Sequence, residues 1–134
     1  MPRVVVFGQD PYPRAESANG VAFWDAAKIN FTPRVSRVSV DVIARAIVRD
    51  LGHPEQVDLL GTCEEFFKRT SEDGVLWLNT ALTFDPSAAV PKAQHIKFWK
   101  PVLATIIADL VPKDAIYVMI GKDAQKINVP PTAT

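Results

Sequence analysis

One carboxylate, two amides and two rings are the groups in this sequence whose types and spacing could do chemistry together. Asp10 follows Gly8-Gln9 and precedes Pro11-Tyr12, directly after the apolar run Val4-Val5-Val6-Phe7. A turn needs the glycine and the proline but not Gln9, Asp10 and Tyr12 packed among them. The plain alternative is a strand followed by a polar turn with an Asx-type cap. Val75-Leu76-Trp77-Leu78 runs into Asn79-Thr80 in the same manner. If the two runs are parallel neighbours, their ends reach one edge of the sheet, where open α/β folds place ligands. Asp10 and Asn79 then flank one crevice, with Tyr12 and Phe23 as aromatic walls. Taken singly, Asn79 reads as a strand-end residue satisfying a loop and Phe23 as core. Together, an acceptor, an amide and two rings suit a planar, hydrogen-bonding ring as ligand.

The elements that must position these residues alternate between strand and helix. Residues 4–8 read as a buried strand from their β-branched content. A loop runs from Gln9 to about Arg34. Val38, Val42, Ile43, Ala46 and Ile47 repeat at helical spacing, with Ser36 or Ser39 as the cap and Gly52 as the terminator. Glu64 to Arg69 reads as a short amphipathic helix anchored by Phe66 and Phe67. Residues 75–79 form a second buried strand. Phe98 to Leu110 reads as a helix with Val102, Leu103, Ile106, Ile107 and Leu110 inward. Ala115 to Ile120 is the last clear strand. This alternation predicts an α/β fold, three-layer α/β/α with a central, mainly parallel sheet. Residues 1–127 are expected to form one domain and 128–134, with Pro130-Pro131, a flexible, unpacked tail.

Composition narrows the class. Fifteen basic and fifteen acidic side chains give a formal charge of zero, so any nucleic-acid footprint must be local. The single cysteine, Cys63, excludes an internal disulfide and a thiolate-held metal cluster. No signal-peptide pattern opens the chain and no apolar run is long enough to span a bilayer, which predicts no membrane partner and a reducing, cytoplasmic setting.

Three segments together carry a family resemblance. Gly8-Gln9-Asp10-Pro11-Tyr12 with Gly20-Val21-Ala22-Phe23 resembles the first signature of the uracil-DNA glycosylase family. Residues 74–83 (Gly-Val-Leu-Trp-Leu-Asn-Thr-Ala-Leu-Thr) are similar to its second conserved strand. Ile120-Gly121-Lys122-Asp123-Ala124-Gln125-Lys126 resembles its third motif. The likeness covers residues 4–126 in the family's order. It implies a uracil-DNA glycosylase-like fold, no cofactor and no metal, uracil-containing DNA as partner, and hydrolysis of the N-glycosidic bond of a flipped-out uracil. On that resemblance Asp10 is the catalytic carboxylate. Gln9, Tyr12, Phe23 and Asn79 hold the base: Asn79 reads its edge, Phe23 stacks on it, and Tyr12 excludes a thymine methyl.

The chain also departs from the family. It has no His-Pro-Ser-Pro segment, whose histidine stabilises the departing uracil anion, and Pro13 stands where the family commonly has a histidine. The helical segments that precede the family's first strand have no counterpart. His53 reads as structural, and His95 as a solvated loop residue or, alternatively, a DNA contact. Arg34 and Arg37 are candidates for phosphate contacts, or simply a solvated helix start. A divergent or truncated member could therefore be an active glycosylase, or a non-catalytic relative that keeps the pocket and binds a base, DNA or a protein. An open sheet edge would favour self-association or a protein partner.

Overall fold

The computed structural model describes residues 1–131 and 133–134. The elements run β1 (Val4–Gly8), α1 (Ser39–Asp50), α2 (Cys63–Glu72), β2 (Val75–Asn79), α3 (Lys92–Leu110) and β3 (Ile116–Met119), with single 3-10 turns at Val57–Leu60 and Ala124–Lys126. The three strands form one parallel sheet in the order β2-β1-β3. β1 is central, which is why its residues are apolar on both faces: Val5 and Phe7 are fully buried on one side and Val6 nearly so on the other.

Alternation along β1 divides the core into two. Val6, with Trp77 from β2, packs against Val40, Ala44 and Val48 of α1 and Phe66 and Phe67 of α2. Val5 and Phe7 pack against Leu103 and Ile107 of α3, together with Val111, Ala115 and Ala124. Helices on both faces of a parallel sheet give the three layers expected from the sequence.

Local signals account for the helix boundaries. Thr62 accepts the Glu65 N–H while the Glu65 carboxylate accepts the Thr62 N–H, a reciprocal capping box that starts α2. α1 starts without a side-chain cap at Val38. Ser36 instead accepts the Val38 N–H and donates to Asp41, steadying the turn before the helix. Gly52 ends α1 with φ +81°, the left-handed conformation anticipated there.

α3 begins at Lys92, six residues before the expected Phe98. Pro91 sets the entry, and the polar Lys-Ala-Gln-His turn has no apolar repeat to betray it. Its inner face is also narrower than the spacing suggested. Leu103 and Ile107 are buried, whereas Val102 and Leu110 are 40% and 59% exposed, because a three-stranded sheet covers only one stripe of the helix.

Two buried carboxylates organise the long loop between β1 and α1. Asp41, 1% exposed, accepts the Thr32 N–H at 2.9 Å and the Ser36 hydroxyl at 3.2 Å, and pairs with Lys28 at 3.2 Å. Asp25 accepts the Ala27 N–H and pairs with Arg14 at 3.2 Å. These partners are what make burying the two charges tolerable.

At the chain end, the Thr134 N–H donates to the Ala115 carbonyl at 3.3 Å. Its carbonyl accepts the Tyr117 N–H at 2.7 Å. The final residue thus pairs with the outer edge of β3, where the sequence suggested an unpacked tail. That edge offers unpaired backbone groups which an extended segment satisfies. The Thr132 portion of the tail lies outside the described residues.

Candidate active site

The register places Gly8 opposite Asn79, so β1 and β2 end level with one another. Three hydrogen bonds lock the two exits together. The Thr80 N–H donates to the Gly8 carbonyl at 3.0 Å, the Ala81 N–H to the Gln9 carbonyl at 3.0 Å, and the Thr80 hydroxyl to the same Gln9 carbonyl at 2.6 Å. Thr80 is fully buried. Its role is to hold Asn79 against the Gln9-Asp10 turn.

A cleft of about 590 Å³ opens at this edge, within the size range of small-molecule sites. Gln9, Asp10, Tyr12, Phe23 and Asn79, the five residues singled out in the sequence, all line it, and Trp77 and Leu82 add apolar wall. Asp10 sits beside Gln9, whose amide donates to its carboxylate at 3.1 Å. Partial burial raises the Asp10 carboxyl above the usual aspartate value, against the lowering effect of that hydrogen bond and of Lys92.

Phe23 takes its place at a conformational cost. Its φ is +68°, in the left-handed region that disfavours side chains. The Tyr12 hydroxyl donates to the Phe23 carbonyl at 3.0 Å and secures that turn. Burial, reinforced by Asp25 and Asp41, pushes the Tyr12 phenol up to about 12, so it remains a donor throughout the physiological range. Trp77 meets the Phe23 ring edge-on at 5.8 Å between centroids. Tyr12→Phe is expected to cost about 0.5–1.5 kcal/mol, the net value of one such bond. It should also loosen Phe23, measurable as a lower melting temperature together with a raised KM for any ligand stacked on that ring.

Asn79 is 8% exposed. Among the described residues its side-chain amide makes no hydrogen bond. Its polar atoms are not sealed off but open on the cleft, where water or a ligand can pair with them.

Gly8 explains how the amide and the ring come so close, and it was not among the residues picked out as site residues. A Cβ built on it would lie 2.7 Å from Asn79 Oδ1 and 2.7 Å from Phe23 Cζ. Its signal in the sequence was a glycine as the last residue of a buried strand, which close approach rather than turn geometry requires.

Neither histidine lines the cleft, although His95 is near enough for its charge to act on Asp10. His53 is exposed beyond the end of α1. His95 is not in a solvated loop but in the first turns of α3. Its Nδ1 lies 2.7 Å from the Thr83 hydroxyl, which also accepts from Trp99 Nε1 at 2.8 Å. The helix extension described above leaves it partly buried. Among the described residues no cluster of His, Cys, Asp or Glu could hold a metal ion, and no helix is long and apolar enough to cross a membrane.

The sheet is parallel α/β, and its strand ends set a carboxylate, an unpartnered amide and a ring around one cleft. The family model of the uracil DNA glycosylase superfamily matches residues 1–131. A uracil-DNA glycosylase of Mycolicibacterium vanbaalenii is 35% identical over 129 residues, covering 93% of this chain and 51% of that protein. One from Mycobacteroides abscessus is 36% identical over 124 residues, covering 91% and 50%. The crystal structure of the wild-type UNG from Nitratifractor salsuginis superposes with a TM-score of 0.61 at 27% identity, covering 99% of this chain and 64% of that one. The chain belongs to the uracil-DNA glycosylase superfamily. It spans about half the length of the curated relatives it matches.

Proposed function

We propose that this chain is a DNA glycosylase that hydrolyses the N-glycosidic bond of uracil flipped out of DNA. The observation that carries the reading is the Asn79 amide, on a largely buried residue yet without a protein partner and open to the cleft, set beside Phe23 over Gly8, on the same cleft as Asp10. An amide held in this way accepts from the uracil N3–H through Oδ1 and donates to the O4 carbonyl through Nδ2. Cytosine reverses both groups and leaves the amide mispaired, at about 1–3 kcal/mol for each unsatisfied group. Phe23 stacks on the base, a contact worth about 1–3 kcal/mol. Tyr12 and Gln9 close the remaining wall, Tyr12 against the position of a 5-methyl group.

Asp10 then does the chemistry. As the C1′–N1 bond breaks, its electron pair leaves with uracil and positive charge grows on the sugar. The ionised carboxylate stabilises that charge and orients the water whose oxygen bonds to C1′, as carboxylates do in glycoside hydrolysis. The water proton passes to Asp10 and the departing base is finally protonated from solvent.

Partners follow from the same reading. Uracil-containing DNA is the substrate, with Arg34 and Arg37, near the mouth residue Ser39, as further phosphate contacts, and the setting is intracellular. Ile116 and Val118, 47% and 40% exposed, leave one face of β3 open, which suits packing against a second copy or a protein partner.

The test is an oligonucleotide carrying one uracil, incubated with the protein and then treated with alkali to cleave abasic sites. Scission at uracil and none at cytosine or thymine in matched sequences is expected, with Asn79→Ala lowering the rate by about 10–100-fold on the energies above. Failure to cut at any protein excess, with the protein folded, contradicts the reading. Failure to cut together with retained melting protection by free uracil would favour the non-catalytic relative.

A further inference from the structure

A chain of zero formal charge that acts on DNA needs a local cationic footprint, and one stands beside Asp10 without a role in the cleft. Lys92, the first residue of α3, pairs with Asp123 at 3.1 Å, and Lys126 approaches the other oxygen of the same carboxylate at 3.9 Å. Asp123 lies in the turn after β3, and β3 pairs with β1 up to Phe7↔Met119 with the Ile120 N–H donating to the Phe7 carbonyl at 2.9 Å, so this turn adjoins the Gln9-Asp10 exit of β1. Neither Lys92 nor Asp123 is among the described residues that line the cleft. In the strand order β2-β1-β3 the turn that holds Asp123 follows the strand on the far side of β1 from the one that ends in Asn79.

We propose that Lys92 and Lys126, bridged by Asp123, form a phosphodiester-binding subsite beside the flipped nucleotide, with Asp123 as an internal anion that the DNA backbone displaces. The inference rests on the glycosylase reading for the direction of the substrate. With the base at Asn79 and the reacting carbon at Asp10, the sugar-phosphate backbone leaves the cleft toward this trio. A carboxylate shared between two ammonium groups occupies the place that a phosphate oxygen would take, and Lys92 remains 43% and Lys126 78% exposed to receive one. Helix stability does not explain Lys92, since a cation in the first turn faces the positive end of the helix dipole and α3 has no acidic residue there to offset it. The competing explanation is a staple that merely ties α3 to the turn after β3.

Binding of a labelled single-stranded oligonucleotide containing one uracil, titrated with salt, separates the two. The background is Asp10→Asn, which keeps the substrate intact. Lys92→Met is expected to weaken binding several-fold and to reduce the slope of log K against log salt by about 0.7, one phosphate on a single strand. Lys92→Arg should restore the slope. Asp123→Asn should tighten binding at low salt, whereas loss of a staple would weaken it and lower the melting temperature. Lys68→Met, an exposed lysine paired with Glu64 on α2, is the control and should change neither quantity. A Lys92→Met slope equal to that of the control, or weaker binding by Asp123→Asn, overturns the proposal. Because this experiment reads binding alone, a protein that excises uracil yet fails here loses only the subsite. One that binds with the expected slopes but never excises loses only the catalytic reading.

Discussion

Asp10→Asn is expected to reduce uracil excision by at least about 10²–10³-fold, the scale on which a single preorganised transition-state group acts. The same substitution should raise the melting temperature. Burial lifts the Asp10 carboxyl above its ordinary value of 3.8, so the folded chain holds that proton more tightly than the unfolded chain does. Stability contributed by Asp10 therefore falls as pH rises from 3.8 through the raised value, and at neutral pH the whole penalty is present. Asparagine removes it. Differential scanning at pH 7 should show the variant melting higher, with the gap closing as pH falls below 3.8. An activity profile gives the companion result. Catalysis needs the ionised form, so kcat/KM should decline with falling pH through a midpoint above the usual aspartate range. A variant that melts lower at neutral pH, or a midpoint at or below the ordinary value, contradicts this account of Asp10.

Gly8→Ala should be the most damaging change that adds a single methyl group. Its Cβ would sit 2.7 Å from both Asn79 Oδ1 and Phe23 Cζ. β1 is the central strand and Thr80 bonds to the Gly8 carbonyl, so the backbone has little freedom to withdraw. Asn79 and Phe23 must move instead, and both contact the base in the proposed complex. Overpacking of this kind costs about 1–3 kcal/mol. The kinetic loss should exceed what that destabilisation explains, because the amide and the ring are displaced together. Steady-state kinetics well below the variant's melting temperature check it: KM for the uracil oligonucleotide should rise and kcat fall. Wild-type kinetics with a merely lowered melting temperature would reduce Gly8 to a packing residue.

These two sites mark the boundary of what the sequence disclosed. Asp10 was legible because a carboxylate, an amide and a phenol at the end of a buried strand exceed what a turn requires. Asn79 was legible because its strand ends in the same way, and parallel pairing brings both ends to one edge. The strands themselves, residues 4–8 and 75–79, read correctly because continuous burial leaves an unbroken apolar run. Gly8 was quoted in the motif but its reason was not, since the close approach of Asn79 and Phe23 depends on a long-range register. His95 was misplaced because the first turns of α3 are polar, and apolar periodicity cannot mark a turn that buries little. The anchoring of the long loop by Asp25 and Asp41 was equally hidden. Buried carboxylates carry no periodic signal, and their partners Arg14, Lys28, Thr32 and Ser36 are assembled only by the folded loop.

The resemblance and the geometry support each other at different levels. Family membership rests on the match across residues 1–131, whereas the assignment of roles rests on where five side chains stand around one cleft. The relatives are about twice as long as this chain, so activity has to be measured on the chain itself.

The most direct measurement is the amount of free uracil, quantified by mass spectrometry, released under single-turnover conditions from an oligonucleotide carrying one uracil. The parent chain and Asp10→Asn should be purified side by side. The account predicts release approaching one uracil per oligonucleotide from the parent, with none from the variant over the same time. Absence of release from the folded parent, or equal release from both proteins, contradicts it.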